Sequence, residues 1–229
     1  MFRKSKGKKD KTAYGVIGLG RFGEALAREL AAAGADLMVI DRSEEKVREM
    51  RELTENALVV QSLDKNTLLD TGIQNCDVVI VCVGSQMDTS ILTTLHLVSM
   101  GVPKVIAKAS SAEHGEILEK LGAEIVYPER DMAVRLANRL ENAGVLDYIR
   151  LSERINITKL QAPGEIIGKT VVEANLRARF GLNIIAVENN GEVIETILPG
   201  YVFRPGDILF LSGGKDGQQR LAEWLETGE

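Results

Sequence analysis

The residues best suited to binding a ligand form a glycine-rich loop near the N-terminus. The run Val16-Ile17-Gly18-Leu19-Gly20-Arg21-Phe22-Gly23 carries a G-x-G-x-x-G motif, and Asp41 follows eighteen residues after its last glycine. In this pattern the first glycine permits a tight turn, the second lets the backbone approach a phosphate, and the third allows helix and strand to pack closely. The helix N-terminus that follows offers free N–H groups and a partial positive charge. The sequence therefore predicts a nucleotide-binding loop made of Gly18, Leu19, Gly20, Arg21, Phe22 and Gly23.

The segments around this loop predict a β-α-β unit. An apolar strand at 14–17 enters the loop, a helix with an apolar stripe ends near Gly34, and a buried strand at 36–40 ends at Asp41. The unit has the expected length of about 30 residues. A carboxylate at the tip of the second strand can accept both ribose hydroxyls and would repel a 2′-phosphate, which favours NAD, ATP or ADP over NADP. A glycine turn that serves packing alone is the alternative.

Further along the chain, apolar strands alternate with amphipathic helices. Strands are predicted at 57–60, 78–83, 105–107 and 125–127, and Pro128 ends the last of them. Helices are predicted at 43–53, 87–100 and 112–121, and Asp64 is expected to cap a further short helix. Continuous apolar strands separated by helices are typical of a parallel sheet covered on both faces. The fold class is therefore α/β, a Rossmann-like doubly wound parallel sheet.

In such a sheet the ligand lies beyond the carboxyl ends of the strands. This rule adds residues after the second, third and fourth strands to the glycine loop. Lys108 and Glu129 are expected at the ends of strands five and six, on the same side, although either could be a simple surface charge. The added candidates are Asp41, Arg42, Gln61, Ser62, Val83, Gly84, Ser85, Lys108 and Glu129.

The pattern changes near residue 150. A helix at 130–140 leads to a hinge at 144–147. The elements predicted after the hinge are a strand at 155–160, a helix at 171–180, a hairpin of 183–188 with 192–195, a strand at 207–211 and a helix at 218–225. This is a second, smaller α+β domain joined by a short connection. The predicted organisation is a basic disordered tail at 1–12, a nucleotide-binding domain at 13–148 and the smaller domain at 149–229.

Composition and charge exclude several classes of protein. The chain of 229 residues is 45% hydrophobic and 27% charged, which is ordinary for a soluble globular protein. It lacks an apolar run of about 18 residues and an apolar leader, so any membrane role is expected to be peripheral. Six basic residues and one acidic residue give the first eleven residues a net charge of +5. Because the whole chain has a net charge of −5, the remaining residues carry −10. An acidic body with few aromatic residues argues against nucleic acid as a partner.

Residues that could do catalysis are scarce. A dehydrogenase needs an acid or base beside the nicotinamide, but His96 and His114, the two histidines, both fall within predicted helices. The sequence has no G-x-S-x-G motif, no P-loop lysine and no metal-ligand cluster, and Cys76 and Cys82 are expected to be reduced core thiols. Binding without turnover is the favoured interpretation, and an NAD-linked oxidoreductase remains an alternative.

Several runs resemble those of the KtrA/TrkA regulatory subunits of bacterial potassium uptake systems. They are the glycine loop with Arg21, Asp41, Leu92-Thr93-Thr94-Leu95, Leu118-Glu119-Lys120-Leu121-Gly122-Ala123 and Pro128-Glu129-Arg130-Asp131-Met132. Such proteins join a Rossmann-type RCK (KTN) domain to a smaller RCK C-terminal domain. A single unit per chain resembles KtrA more than the duplicated, NADH-linked TrkA arrangement.

The resemblance implies a cytoplasmic regulator, peripheral on the inner face of the membrane. Homodimers would assemble into an octameric ring under a KtrB- or TrkH-like potassium channel or transporter and would be switched by ATP against ADP. It further implies that Arg21 reaches the γ-phosphate bound by the neighbouring subunit, that Glu129 helps hold a divalent cation (Mg²⁺ or Ca²⁺), and that Lys108 lies near the nucleotide.

Two ligand assignments stay open in this comparison. At the adenine edge, Gln61-Ser62 stands where relatives have Asn-Ala or Asp-Ala, so the selectivity of those relatives for adenine is the least secure property to carry over to this chain. An NAD(H)-sensing, TrkA-like regulator is an alternative. Some KtrA-like relatives bind cyclic di-AMP in the C-terminal domain. The matching region here is 177–185, where Ile184 and Ile185 could equally belong to a dimer core.

Overall fold

The structure, a computed structural model, describes residues 11–84, 86–141, 145–152 and 154–227. Ten of the twelve residues of the predicted basic tail lie outside this range. The chain divides into two compact units, Met1–Pro128 and Glu129–Glu229. The sequence pattern instead groups the helix after residue 128 with the first domain, and the limits at 148 and 149 stay a prediction.

The first unit is built on a parallel sheet of six strands in the order β3-β2-β1-β4-β5-β6. The sheet grows outward from β1 in two directions, which is the doubly wound arrangement predicted from the sequence. The strands are β1 (Ala13–Ile17), β2 (Asp36–Asp41), β3 (Asn56–Val59), β4 (Val78–Val81), β5 (Lys104–Lys108) and β6 (Glu124–Val126).

The strands of this sheet are buried on both faces. Ile17, Met38 and Val79 belong to one apolar cluster, whereas their neighbours Val16 and Leu37 belong to another. Because successive side chains of a strand point to opposite faces, both clusters need apolar residues from the same strands. This explains why the strands read as continuous apolar runs and not as alternating ones.

Helices connect the strands of the first unit. Asp64 caps one of them as predicted: its Oδ1 accepts from the backbone N–H groups of Asn66 and Thr67, both at 3.0 Å. The Thr67 backbone N–H, followed by the hydroxyl groups of Ser62 and Thr67, holds the pKa of the Asp64 carboxyl far below its usual range. The helices are α1 (Arg21–Ala32), α2 (Glu44–Met50), α3 (Lys65–Thr71), α4 (Met87–Ser99) and α5 (Ala112–Lys120), with a 3₁₀ turn at Ile73–Asn75.

Both cysteines are free thiols buried in the first unit, as the sequence predicts. Burial raises the pKa of Cys76 to about 12, and it raises that of Cys82 to about 12 although Lys108 acts in the opposite direction. Cys82 lies just beyond the end of β4 and not within it. At neutral pH both sulfurs are therefore protonated core groups with little nucleophilic character.

The second unit contains an antiparallel sheet in the order β10-β9-β11-β8-β7. Its core includes Leu160, Phe180, Leu182, Phe203 and Trp224. The strands are β7 (Val145–Arg150), β8 (Asn156–Gln161), β9 (Asn183–Asn189), β10 (Glu192–Ile194) and β11 (Ile208–Gly213). The helices are α6 (Pro128–Glu141), α7 (Val171–Ala174), α8 (Leu176–Phe180) and α9 (Lys215–Thr227), and a 3₁₀ turn lies at Gly164–Ile166.

The hairpin predicted in this unit is confirmed. Strands β9 and β10 pair in antiparallel fashion, and Asn190 and Gly191 between them have φ values of 50° and 82°. Two consecutive positive φ values are the requirement of the type I′ turn, which asparagine followed by glycine satisfies best.

Three local predictions are wrong. The hinge at 144–147 is for the most part strand β7, which pairs with β8 so that Tyr148 lies opposite Thr158; Gly144 is outside the described residues. The helix at 171–180 is two helices, because Asn175 adopts a left-handed conformation with φ 47°. Pro128 starts α6, since proline suits the first helical position, and this places Glu129 in a helix and not at a strand end.

A buried carboxylate ties together the turn before β11. Asp207 is fully buried and accepts hydrogen bonds from Asn189 Nδ2 at 2.5 Å, Tyr201 Oη at 2.8 Å and the Arg204 backbone N–H at 2.9 Å. Burial, and then this carboxylate, raise the pKa of Tyr201 to about 12. Three donors converging on one group make the network sensitive to loss of the acceptor.

We expect Asp207→Asn to lower the free energy of unfolding by about 2 kcal/mol, because the amide replaces one accepting oxygen by a donor among three donors. Urea denaturation followed by circular dichroism measures this change. The exposed Glu195→Gln removes the same charge without a buried partner and serves as the control. Equal stabilities for the two variants would contradict a structural role for the network.

Candidate nucleotide-binding site

The candidate site lies where the strand order of the first unit reverses. Strand β1 is flanked by β2 on one side and by β4 on the other. The loops that leave neighbouring carboxyl ends here run to opposite faces of the sheet, which opens a crevice between them. The glycine loop, Asp41 and the segment after β4 all border this crevice.

Two of the three loop glycines are required by close backbone packing. Gly18 has φ 97°, and a Cβ on it would lie 3.2 Å from the Cys82 carbonyl carbon and from the Val83 nitrogen. A Cβ on Gly23 would lie 2.0 Å from the Gly18 carbonyl oxygen and 3.0 Å from Cys82 Cβ. A side chain at Gly23 would push α1 away from the glycine loop, whereas one at Gly18 would crowd the backbone that follows β4 and would strain a positive φ. These contacts support the roles given to the first and third glycines of the motif.

Gly20 is in a different environment. Apart from Gly20 itself and its two neighbours in the chain, no heavy atom of the described residues lies within 4 Å of the position that its Cβ would occupy. It is the N-cap of α1 and supplies no side-chain acceptor, whereas α2, α3 and α5 are capped by Ser43, Asp64 and Ser111. The first-turn N–H groups of a helix have no partner within the helix. A phosphate bound at this end of α1 would accept hydrogen bonds from them.

Asp41 fixes the path of the glycine loop. Its Oδ2 accepts from the Leu19 backbone N–H at 2.5 Å, and its Oδ1 accepts from the Ser43 backbone N–H at 2.8 Å. Sequence reasoning assigned Asp41 to a ribose and missed this structural role. The Asp-x-Ser spacing was the available signal, because an aspartate often bonds to the N–H two residues later. Each oxygen keeps a further lone pair for a ligand hydroxyl.

The remaining loop side chains divide into buried and exposed groups. Leu19 is fully buried, and Phe22 packs against the same apolar cluster, so these two support the loop from beneath. Arg21 is exposed and, within the described part of the chain, makes no ion pair, unlike Arg28, whose guanidinium lies 3.0 Å from Glu24 and 3.5 Å from Glu49. Arg21 therefore presents a positive charge at the first position of α1.

The residues after β2 and β3 form the outer wall. Gln61 is exposed, and its Nε2 donates to the Arg42 carbonyl oxygen at 3.4 Å. Ser62 Oγ donates to Asp64 Oδ2 at 2.7 Å and so takes part in the cap of α3. An adenine edge at this wall would therefore meet the Gln61 amide, while Ser62 is already engaged.

The segment after β4 brings Lys108 to the crevice. Val83 Cγ2 would lie 3.3 Å from a Cβ on Gly18, and Lys108 Nζ would lie 3.5 Å from a Cβ on Gly84. The glycine loop, Val83, Gly84 and Lys108 thus follow one another across the carboxyl ends of β1, β4 and β5. Ser85 lies outside the described residues.

Glu129, the predicted cation ligand, lies in the first turn of α6, three residues beyond the end of β6. It falls in the second unit, so its part in the crevice stays a prediction. Among the residues that the structure describes, no group of three or more His, Cys, Asp or Glu side chains could hold a metal ion.

Both histidines make local contacts. His96 Nδ1 lies 3.3 Å from the Leu63 carbonyl oxygen. His114 is fully buried, with its Nδ1 3.3 Å from the Ser110 backbone nitrogen, and burial lowers its pKa. Both histidines lie within helices, as the sequence predicts, His96 in α4 and His114 in α5.

The region predicted for cyclic di-AMP spans α8 and the start of β9. Ile184 packs against the core of the second unit, and Ile185 is 39% exposed. The Arg179 guanidinium lies over the rings of Phe180 and Trp224, 4.8 Å and 4.4 Å from their centroids. Binding of cyclic di-AMP at this region stays a prediction.

The comparisons with known proteins agree with this architecture. The TrkA-N domain family matches residues 14–128, and the TrkA-C domain family matches residues 159–226. In the part of the chain that the structure describes, no helix has the length and apolar character needed to cross a membrane.

Relatives of similar length carry potassium uptake names. The chain is 39% identical over 204 residues to the Ktr system potassium uptake protein C of Bacillus subtilis, covering 89% of this chain and 92% of that protein. It is 35% identical over 209 residues to the Ktr system potassium uptake protein A of the same organism, covering 91% and 94%.

Among solved structures the fold is shared with the GsuK channel. The TM-score is 0.67 at 22% identity, and the match covers 96% of this chain but only 40% of the channel chain. A structure titled as the GsuK channel bound to NAD gives a TM-score of 0.65 at 21% identity, with the same coverage. With both domains matched in order and relatives aligned over nearly their whole length, the chain belongs to the Ktr and Trk family of potassium uptake proteins.

Proposed function

We propose that this chain is a nucleotide-sensing regulatory subunit that controls a membrane potassium transporter from the cytoplasmic side. It acts by binding ATP or ADP and not by catalysis. The observation that carries the proposal is the start of α1 in a chain of this family: the helix lacks a side-chain cap, opens at Gly20 and presents the exposed Arg21.

The first step is capture of the phosphates. The N–H groups at the start of α1 donate to phosphate oxygens, and the helix dipole favours their negative charge. Asp41 stands at the end of β2, where its free lone pairs accept the ribose hydroxyls while it also holds Leu19. Lys108, close to Gly84, adds a second positive charge at the same edge.

The second step is discrimination between ATP and ADP. A ligand shifts a conformational equilibrium only by the difference in its affinity for the two states. The γ-phosphate offers Arg21 a charge-assisted hydrogen bond that ADP cannot provide. If Arg21 makes this bond to the nucleotide of a second copy, the third phosphate stabilises one dimer arrangement over another.

The third step is transmission to the transporter. Homodimers assembled into an octameric ring would carry the change at each interface to a KtrB- or TrkH-like membrane partner. Two triphosphates that face each other repel, and a divalent cation near Glu129, Mg²⁺ or Ca²⁺, would reduce this repulsion. The cation would take oxygen ligands from the phosphates as well as from Glu129.

NAD(H) is the second candidate ligand. Asp41 favours it as much as ATP, because both present the same adenosine ribose to the end of β2. The position of Arg21 favours the triphosphate, since a dinucleotide has no terminal phosphate for it to contact.

We expect Arg21→Ala to abolish most of the preference for ATP over ADP, a change of about tenfold, because it removes a charge-assisted contact to one phosphate. Affinity for ADP should stay within about twofold of the wild type. Isothermal titration calorimetry of the full chain with each nucleotide measures both values.

Arg28→Ala, on the same helix but paired with Glu24, is the matched control and should leave the preference unchanged. An equal loss of affinity for ATP and ADP in Arg21→Ala would contradict the γ-phosphate role.

We expect Asp41→Ala to weaken ATP and ADP alike, by about tenfold, because the ribose loses an acceptor and the loop loses its tie to β2. Titration with 2′-deoxy-ATP separates these two effects. The wild type should bind ATP more tightly than 2′-deoxy-ATP, and the variant should bind both equally.

Asp36→Asn changes an acidic residue at the opposite end of the same strand and should preserve the difference between the two nucleotides. If Asp41→Ala keeps the full preference for ATP over its 2′-deoxy analogue, the ribose contact is wrong.

A further inference from the structure

His114 is a buried ionisable group that the proposed function does not use. It lies in the first turn of α5, and its backbone N–H donates to the N-cap hydroxyl of Ser111 at 3.1 Å. Its side chain is fully buried. Histidine is the side chain whose charge ordinarily changes between about pH 5 and 8. The surroundings of His114 therefore decide whether this part of the chain responds to acid.

The hydrogen bonds of the ring select its neutral form. The Ser110 backbone N–H donates to His114 Nδ1 at 3.3 Å, and Ser110 Oγ lies 3.1 Å from the same nitrogen. Because Nδ1 accepts, the proton of the neutral ring is on Nε2, which is buried without a hydrogen-bond partner among the described residues. A second proton would turn Nδ1 into a donor that faces a donor. The Ser110 hydroxyl can rotate to accept this proton, but the backbone N–H cannot.

The position of the ring also opposes a positive charge. The first turn of a helix is the positive end of the helix dipole, and burial removes the water that would solvate an imidazolium. Burial lowers the pKa of His114, and no charged group among the described residues offsets this effect.

The ionisable groups nearest in the fold belong to α5 itself and to α4, β5 and β6, the elements beside it. Two carboxylates among them already have a cationic partner: Glu116 is 2.6 Å from Lys120, and Glu124 is 2.7 Å from Lys104. The full set is Asp88, His96, Lys104, Lys108, Glu113, Glu116, Glu119, Lys120, Glu124 and Tyr127.

The residue after His114 supports the end of the first unit. Gly115 is buried, and a Cβ on it would lie 1.7 Å from Tyr127 Oη and 2.7 Å from Tyr127 Cζ. The phenol group thus rests directly on the backbone of α5. Tyr127 follows β6 and precedes Pro128, at which the first unit ends and α6 begins. The start of α5 therefore holds both the buried histidine and the support of this tyrosine.

We propose that His114 is an acid-sensitive lock on the start of α5. While the ring is neutral, it accepts from Ser110 and stays buried, and Gly115 stays beneath Tyr127. When the ring gains a proton, the start of α5 opens so that the imidazolium reaches water, and Tyr127 loses its support. The lock gives the chain a second input, the proton, which is independent of which nucleotide binds.

The direction of the pH dependence follows from which form binds the proton more tightly. In an open chain a histidine titrates near its usual pKa of about 6.5, whereas the pKa of His114 in the closed fold is lower. The open form therefore takes up the proton first, and the closed form loses stability as the pH falls below about 6.5. One proton changes the opening equilibrium by at most about tenfold per pH unit.

Exchange of the histidine C2 hydrogen for deuterium, followed by mass spectrometry of the full chain, tests the first requirement without a variant. The dependence of the exchange rate on pH gives the pKa of each histidine. We expect His114 to exchange slowly with a pKa below about 6.5, and the partly exposed His96 to exchange faster. A pKa of His114 at or above about 6.5 would overturn the proposal.

Backbone amide exchange at about pH 7.5 and about pH 5.5, corrected for intrinsic rates, tests the opening itself. Peptides that cover 110–127 should lose up to about tenfold more protection at the lower pH than peptides that cover β1 and β2. His114→Asn keeps an acceptor in the place of Nδ1 and cannot take up a proton, so it should remove this difference. His96→Asn is the matched control and should behave as the wild type does.

Gly115→Ala removes the support of Tyr127 and leaves the histidine in place. Peptides that cover 124–127 should then exchange at about pH 7.5 as they do in the acidified wild type, and the pKa of His114 should rise toward its usual value. Three results would overturn the proposal: an even loss of protection over the whole first unit in acid, an unchanged acid response in His114→Asn, or a fully protected Tyr127 segment in Gly115→Ala. If His114→Asn does not fold, the wild type and Gly115→Ala still decide the question.

Discussion

The hydrogen bonds of Asp41 are the constraint on which the candidate nucleotide site depends. One carboxylate oxygen accepts from Leu19 and the other from Ser43, so a single side chain joins the glycine loop after β1 to the segment after β2. The loop in turn sets where α1 begins. Because Gly23 contacts the Gly18 carbonyl oxygen, the helix cannot move without breaking this arrangement. The N–H groups at the start of α1 are thus fixed in position by the fold itself, which would lower the cost of binding a phosphate there.

The N-terminus of α1 has no side-chain cap, because its N-cap residue is Gly20. The neighbouring helices α2 and α3 gain side-chain caps from Ser43 and Asp64, each of which commonly contributes about 1 kcal/mol. Gly20 offers no such group. A bound phosphate would supply the missing acceptors, which couples nucleotide affinity to the stability of the first turn. Arg21 lies in that turn with its side chain exposed, and the proposed contact with a third phosphate starts from this position.

The sequence predicted the first unit better than the second, for a physical reason. Strands buried on both faces produce long apolar runs, and capping residues such as Asp64 mark the helix between them. In the second unit a left-handed asparagine, Asn175, interrupts an otherwise helical stretch, and β7 alternates too weakly to be distinguished from a hinge. The glycine loop was predictable from spacing, and the Asp-x-Ser spacing signalled the bond between Asp41 and Ser43. The bond from Leu19 to Asp41 and the bond from Ser62 to the Asp64 cap depend on loop geometry that spacing does not encode.

Calorimetric titration of the wild-type chain with ATP, ADP and NADH, in the presence and absence of Mg²⁺, tests the central claim most directly. We expect ATP and ADP to bind with different affinities, Mg²⁺ to change the affinity for ATP more than that for ADP, and NADH to bind more weakly than ATP. NADH binding at least tenfold tighter than ATP, a difference of about 1.4 kcal/mol, would contradict the assignment of ATP and ADP as the ligands.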